Sequence, residues 1–196
     1  MSNDGVNNGR RTFLIGVTAA VGAVGVAGLA VPFVRSWQPS ARAEHAGAPV
    51  EVDVSKLEPG QRVTRGWRGR PVWVIRRTED MLEGLERIVD EGVLADPDSE
   101  QEQQPEYARN NYRSIRPEIL VLTGVCTHLG CSPAYNAEPT PRLDHGGFYC
   151  ACHGSMFDLA GRVYRGVPAP TNLVVPEHSY LSEDVVIIGS EEGDTA

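Results

Sequence analysis

Apolar positions in this chain fall into runs of three different periods. Residues 12–34 carry no charged side chain. Those 23 residues in helix would span ~34 Å, enough for a bilayer hydrocarbon core of ~30 Å. Val50, Glu51, Val52, Asp53 and Val54 alternate apolar with polar, as a half-buried strand does. Residues 62–76 read as two strands around a Gly-rich turn, after a turn at Glu58, Pro59 and Gly60. Residues 81–91 change period: Leu82, Leu85, Ile88 and Val89 share one helical face, with Glu83, Glu86 and Asp90 opposite. Residues 96–105 are too polar to bury and predict a surface loop. Residues 119–123 are continuously apolar, and 147–149 form a shorter run. Val163 with Tyr164, and residues 185–188, look like closing strands. The pattern predicts a mainly β protein: an N-terminal transmembrane helix, then an antiparallel head with one helix-and-loop insertion. Beyond two cysteine-containing boxes there is no internal repeat.

The apolar run is preceded by Arg10 and Arg11, and the pair followed by Thr12, Phe13, Leu14 and Ile15 resembles a twin-arginine export signal. A cleaved signal has a shorter apolar core before a small-residue cleavage site. Ala41-Arg42-Ala43 is a faint candidate for such a site, but the length of the run favours an uncleaved anchor. Arg35 and Arg42 balance the two preceding arginines, so charge alone does not orient the span. The twin-arginine pair does: it places residues 1–11 in the cytoplasm and the body outside. Ala19, Ala23 and Ala27 share a face that would permit close helix packing, although small residues are also common in export signals. Residues 35–49, with Pro39, Gly47 and Pro49, form a linker without apolar period, leaving 50–196 as the head.

Charge narrows the partners. The chain carries a formal −8. From residue 44 onward 25 acidic residues face 14 Lys and Arg, so the exported part holds about −11. No basic stripe is available for phosphates, which argues against nucleic acid. The acidity suits a positively charged protein partner, and equally a merely soluble surface.

All four cysteines and two of the five histidines sit in two boxes, CTHLGC at 126–131 and CACHGS at 150–155. A disulfide scaffold would scatter its cysteines, so the clustering points to a metal centre. One Cys and one His from each box would satisfy tetrahedral zinc. The spacings are Cys-x-His and Cys-x2-His rather than those of common zinc knuckles, and two cysteines would be left over. A 2Fe–2S cluster needs four protein ligands, and two thiolates with two imidazoles supply them. Two ferric irons, two sulfides, two thiolates and two neutral imidazoles sum to zero, against −2 for four thiolates. An electron enters the neutral cluster more easily, and the imidazoles can couple it to a proton.

The paired boxes, eighteen residues apart, with Gly161, Arg162 and the loop Gly166-Val167-Pro168-Ala169-Pro170, resemble Rieske iron–sulfur proteins. More narrowly the chain resembles the Rieske subunits of bacterial ubiquinol–cytochrome c reductase, the cytochrome bc complex. The resemblance implies one 2Fe–2S cluster, with Cys126 and Cys150 on an inner iron and His128 and His153 on an outer, solvent-facing one. It implies a disulfide between Cys131 and Cys152, a cluster-binding subdomain at about 124–172, and shielding of the cluster by Leu129 and the proline loop. His153 would contact ubiquinol and couple electron to proton transfer. Ser155 would donate to a bridging sulfide. A tyrosine two residues beyond that serine donates to a ligand cysteine in many relatives; this chain has Phe157, which implies a lower potential.

The implied partners are cytochrome b, a c-type cytochrome, ubiquinol and the membrane, in a dimeric complex at the inner membrane with the head in the periplasm. The Rieske subunit of another periplasmic oxidoreductase, such as arsenite oxidase, and a structural zinc protein are the competing readings. His45, His145 and His178 are expected to be surface residues.

Overall fold

The computed structural model describes residues 7–41, 43 and 47–190. His45, and Arg42 of the faint cleavage site, lie outside the described residues. The chain divides into two units, Met1–His45 and Ala46–Ala196.

The first unit contains α1 (Asn8–Ser36), capped by the Asn7 side chain, which accepts from the Arg10 amide at 3.1 Å. It begins four residues before the apolar run because Asn7 can satisfy an amide that the first turn leaves open. None of its side chains is buried, and it is long and apolar enough to cross a membrane. A helix apolar on every face suits a lipid surround.

The second unit holds three antiparallel three-stranded sheets. The strands are β1 (Val50–Asp53), β2 (Arg62–Trp67), β3 (Arg70–Arg76), β4 (Ile119–Thr123), β5 (Ala134–Asn136), β6 (Gly147–Cys150), β7 (Ser155–Phe157), β8 (His178–Tyr180) and β9 (Val185–Ile188). They pair in the orders β1-β9-β8, β2-β3-β4 and β5-β6-β7. The β2–β3 turn places Arg68 and Gly69 at φ 49° and 72°, the left-handed pair that a two-residue hairpin requires.

The middle sheet is covered on both faces, which explains the continuous apolar runs of β3 and β4. Val72, Val74, Ile119 and Val121 pack against Val52, Val54, Val186 and Ile188 of the terminal sheet. Trp73, Ile75, Leu120 and Leu122 face the other way, into a core shared with Phe148, Phe157, Cys126 and Cys150. Trp73 stacks on Phe148 with centroids 5.2 Å apart.

The insertion contains α2 (Glu79–Asp90), capped by Thr78. It buries Met81, Gly84, Leu85 and Ile88, while Leu82 and Val89 are only half-buried. The polar stretch 96–105 is not wholly a surface loop: Asp96 and Ser99 are buried. Asp96 accepts from the amides of Glu100 and Gln101, and its carbonyl accepts from Asn172 at 3.0 Å. Hydrogen bonding thus removes the cost that made burial look unfavourable. Val163 and Tyr164 form no strand; each makes one isolated bridge, to Phe157 and to Leu94.

Three arginines, Arg77, Arg113 and Arg162, are also buried, against Asp158. Arg162 pairs with Asp158 at 2.7 Å with both side chains wholly covered. Arg77 donates to the carbonyls of Tyr112, Pro117 and Leu159. Burial pulls its guanidinium down to about 9, which leaves it cationic at neutral pH.

Candidate metal centre

β4 delivers the first box and β6 the second. Gly124, between β4 and Cys126, has no room for a Cβ because the Trp73 ring occupies that space. The first box then folds back on itself: the Cys126 amide donates to the Cys131 carbonyl at 2.7 Å, and the Gly130 amide to the Cys126 carbonyl at 3.0 Å. Gly130 takes φ +83°, where a side chain would be strained. The second box is the turn of the β6–β7 hairpin, with Cys150 paired to Ser155. The Gly154 amide closes it onto the Cys150 carbonyl at 2.8 Å.

A disulfide between Cys131 and Cys152 joins the two turns, with a Cα–Cα distance of 6.7 Å. Cys126 and Cys150 remain free and buried. The sulfurs of Cys131, Cys150 and Cys152 lie within 4.8 Å of one another, but two of the three are committed to the disulfide. The His128 and His153 rings meet edge to face with centroids 4.7 Å apart. His153 is exposed and His128 half-buried, so the thiols lie inward of the imidazoles. Leu129 stands beside them, 70% exposed.

Two bonds draw the proline loop onto the boxes. Thr127 Oγ1 donates to the Thr171 carbonyl at 2.7 Å, and the Ala169 amide donates to Ser155 Oγ at 3.0 Å. Val167 packs on the core that contains both free cysteines.

The donor set suits a two-iron cluster. His128 Nδ1 is buried and has no hydrogen-bond partner, a cost that a metal bond to that nitrogen would remove. Burial pushes the Cys126 thiol up; the His128 backbone N–H and the Ser155 hydroxyl pull it back, and the adjacent Cys150 sulfur adds to the rise. Iron must therefore displace a proton there. Two buried thiols and two adjacent imidazoles of unequal exposure fit a cluster with one covered and one solvent-facing metal.

All seven residues expected at this site are brought together: Cys126, His128, Cys131, Cys150, Cys152, His153 and Ser155. His178 and His145 correct expectation. His178 is buried rather than exposed, its Nδ1 2.8 Å from the Pro176 carbonyl and 3.3 Å from the Tyr107 hydroxyl. That burial pulls its imidazole below the usual range. His145 is half-buried, packed over Gly84 of α2, with Nε2 2.9 Å from Glu91. Phe157 is fully buried in the core of the free cysteines. Sequence reasoning missed the role of Thr127, although it lies inside the first box, and that of the Ala169 amide, which as backbone leaves no signal.

The chain is similar to known proteins. Residues 101–179 match the family model described as Rieske [2Fe-2S] domain, and residues 1–40 the one described as Ubiquitinol-cytochrome C reductase Fe-S subunit TAT signal. The chain is 54% identical over 197 residues to the ubiquinol-cytochrome c reductase iron-sulfur subunit of Allochromatium vinosum, covering 98% of this chain and 94% of that one. It is 42% identical over 188 residues to the subunit of the same name from Rhodospirillum rubrum, covering 96% of each. A solved hyperthermophilic respiratory Complex III contains a chain 29% identical, with a TM-score of 0.49, covering 88% of this chain and 97% of that one.

The disulfide closes a loop of 21 residues. Replacing Cys131 and Cys152 together by alanine is expected to lower head stability by about 3 kcal/mol. Thermal unfolding of the purified protein, with and without a strong reductant, measures this.

Proposed function

The chain belongs to the Rieske iron–sulfur subunits of ubiquinol–cytochrome c reductase, and from that premise we propose that its head takes one electron, with one proton, from ubiquinol and passes the electron to a c-type cytochrome. Its cofactor is a Rieske 2Fe–2S cluster. We assign Cys126 and Cys150 to the inner iron and His128 and His153 to the outer one. The observation that carries this is the nested donor set: two buried free thiols, and outside them two touching imidazoles, one with an unpartnered buried nitrogen.

When bound, the cluster supplies a one-electron acceptor of high potential. The chain's own residues do the rest. His153, exposed at the rim, would, with its ring deprotonated on the oxidised cluster, accept a hydrogen bond from the quinol hydroxyl and take its proton. Imidazole suits this because its protonation changes near neutral pH. His128, less exposed, holds the neighbouring position. Cys126 and Cys150 exclude water by sitting in the core with Trp73 and Phe148. Ser155 would donate a hydrogen bond to the cluster, which would favour the more negative reduced state.

α1 anchors the subunit by a single pass in the inner membrane, residues 1–11 in the cytoplasm and the head (residues 50–196, cluster-binding part about 124–172) in the periplasm. Residues 35–49 are the flexible tether; 36–49 could extend up to ~46 Å, so reach does not limit movement between cytochrome b and the c-type cytochrome. The complex is dimeric. Affinity purification through a tag on this chain tests the assignment. The purified complex should contain b- and c-type haem and reduce cytochrome c with ubiquinol, and His153→Gln should cut that rate at least a hundredfold, within the range attributed to positioned proton transfer, about 10²–10⁴. A complex without b haem, oxidising another donor, would assign the subunit to a different oxidoreductase.

Phe157 has a separate consequence. Many relatives are expected to donate a hydroxyl hydrogen bond from this position, and phenylalanine donates none. Phe157→Tyr is expected to raise the midpoint potential, read by redox titration. A midpoint that stays or falls would show that the hydroxyl finds no cluster acceptor here.

A further inference from the structure

The loop that carries Ala169 is held at its base by a buried guanidinium. Arg113 Nη1 donates to the Ala160 and Gly161 carbonyls at 3.1 and 3.4 Å. Its Nη2 donates to the Leu173 carbonyl at 2.8 Å and to Gln104 Oε1 at 2.9 Å. One side chain thus grips the chain where it enters the loop and where it leaves. Two further bonds complete the closure: the Leu173 amide to the Gly161 carbonyl at 2.8 Å, and the Val163 amide to Asn172 Oδ1 at 2.8 Å.

The far end of the same loop reaches Ser155. The Ala169 amide occupies one acceptor position of Ser155 Oγ. A hydroxyl has one proton to give, and with Ala169 on its acceptor side that proton is left for an acceptor at the cluster site. The direction of the Ser155 proton therefore depends on where Ala169 stands, and that depends on the loop base.

We propose that Arg113 is a positioning residue for the cluster's electron affinity, clamping both ends of residues 161–173 so that the loop aims the Ser155 hydroxyl. This rests on the reading of Ser155 as a donor to the cluster. The charge on Arg113 is a separate matter. It faces Asp158, Arg162 and Asp96, and although burial lowers it to about 10 it remains a cation. A buried cation could raise the potential through space alone, so the test must separate aim from charge.

Four variants of the full-length membrane protein do so: Ser155→Ala, Arg113→Gln, Arg113→Lys, and Ser155→Ala combined with Arg113→Lys. The readouts are the midpoint potential, titrated by electron paramagnetic resonance, and hydrogen exchange of residues 162–172. Lysine keeps the charge and cannot bridge four acceptors. Ser155→Ala is expected to lower the reduced-to-oxidised ratio at fixed potential about tenfold, ~59 mV. Both Arg113 variants should lower it in the same direction, at least threefold, and speed exchange in the loop. The double variant should match Ser155→Ala alone.

A normal midpoint in Arg113→Lys overturns the proposal, as does a shift that adds in full to that of Ser155→Ala. A Ser155→Ala protein with unchanged midpoint overturns the serine reading and the proposal with it. A shift in Ser155→Ala with none in either Arg113 variant overturns the clamp alone. If Arg113→Gln does not load its cluster, the lysine variant decides.

Discussion

Cys126 and Cys150 lie in the same hydrophobic core as Trp73, Phe148 and Phe157, so the inner ligands of the proposed cluster are also core residues. Burying a thiol costs little, while burying a thiolate costs a great deal unless a cation compensates it. The core is thus stable with protonated cysteines or with metal-bound ones, and unfavourable for free thiolates. The same burial pushes the Cys126 thiol up. Packing on the covered face of the middle sheet therefore dictates both where the metal sits and the form in which it must be bound.

Around that constraint the head shows a division of charge. Its surface carries most of the acidic excess, while Arg77, Arg113 and Arg162 are inside. With these three cations and the two carboxylates Asp96 and Asp158 inside, what a partner meets is one charge more negative than the formal count. An acidic exterior is complementary to a basic cytochrome and speeds encounter at low salt. The interior arginines do different work. They take carbonyls from segments that belong to no sheet, including Leu159, Ala160, Gly161 and Leu173. Arginine suits such a task because one planar group presents five donors.

Much of this was readable from local pattern. The uncharged run gave α1, the 3.6-residue period gave α2, and the apolar runs gave β3 and β4, because each depends on near neighbours in sequence. The three-residue strands β5 and β8 escaped because they are too short for any period to register; pairing with β6 and β9 creates them. Val163 and Tyr164 read as a strand but find only single bridges. The seven chemistry-bearing residues of the boxes were legible because the two boxes resemble those of Rieske proteins. The buried arginines and His178 were not. A charged or imidazole side chain carries no sequence mark of burial, since its partners are carbonyls up to 82 residues away.

The central claim is that two histidines, rather than four cysteines, complete the cluster. It is tested most directly by titrating the midpoint potential of the purified protein by electron paramagnetic resonance from neutral to alkaline pH. Imidazole ligands bind protons more tightly in the reduced state, so the midpoint should be high at neutral pH. It should fall once pH passes the histidine ionisations of the oxidised form, by ~59 mV per unit for each proton coupled to the one electron. A midpoint independent of pH, or one near the −400 mV of plant-type ferredoxins, would contradict the account.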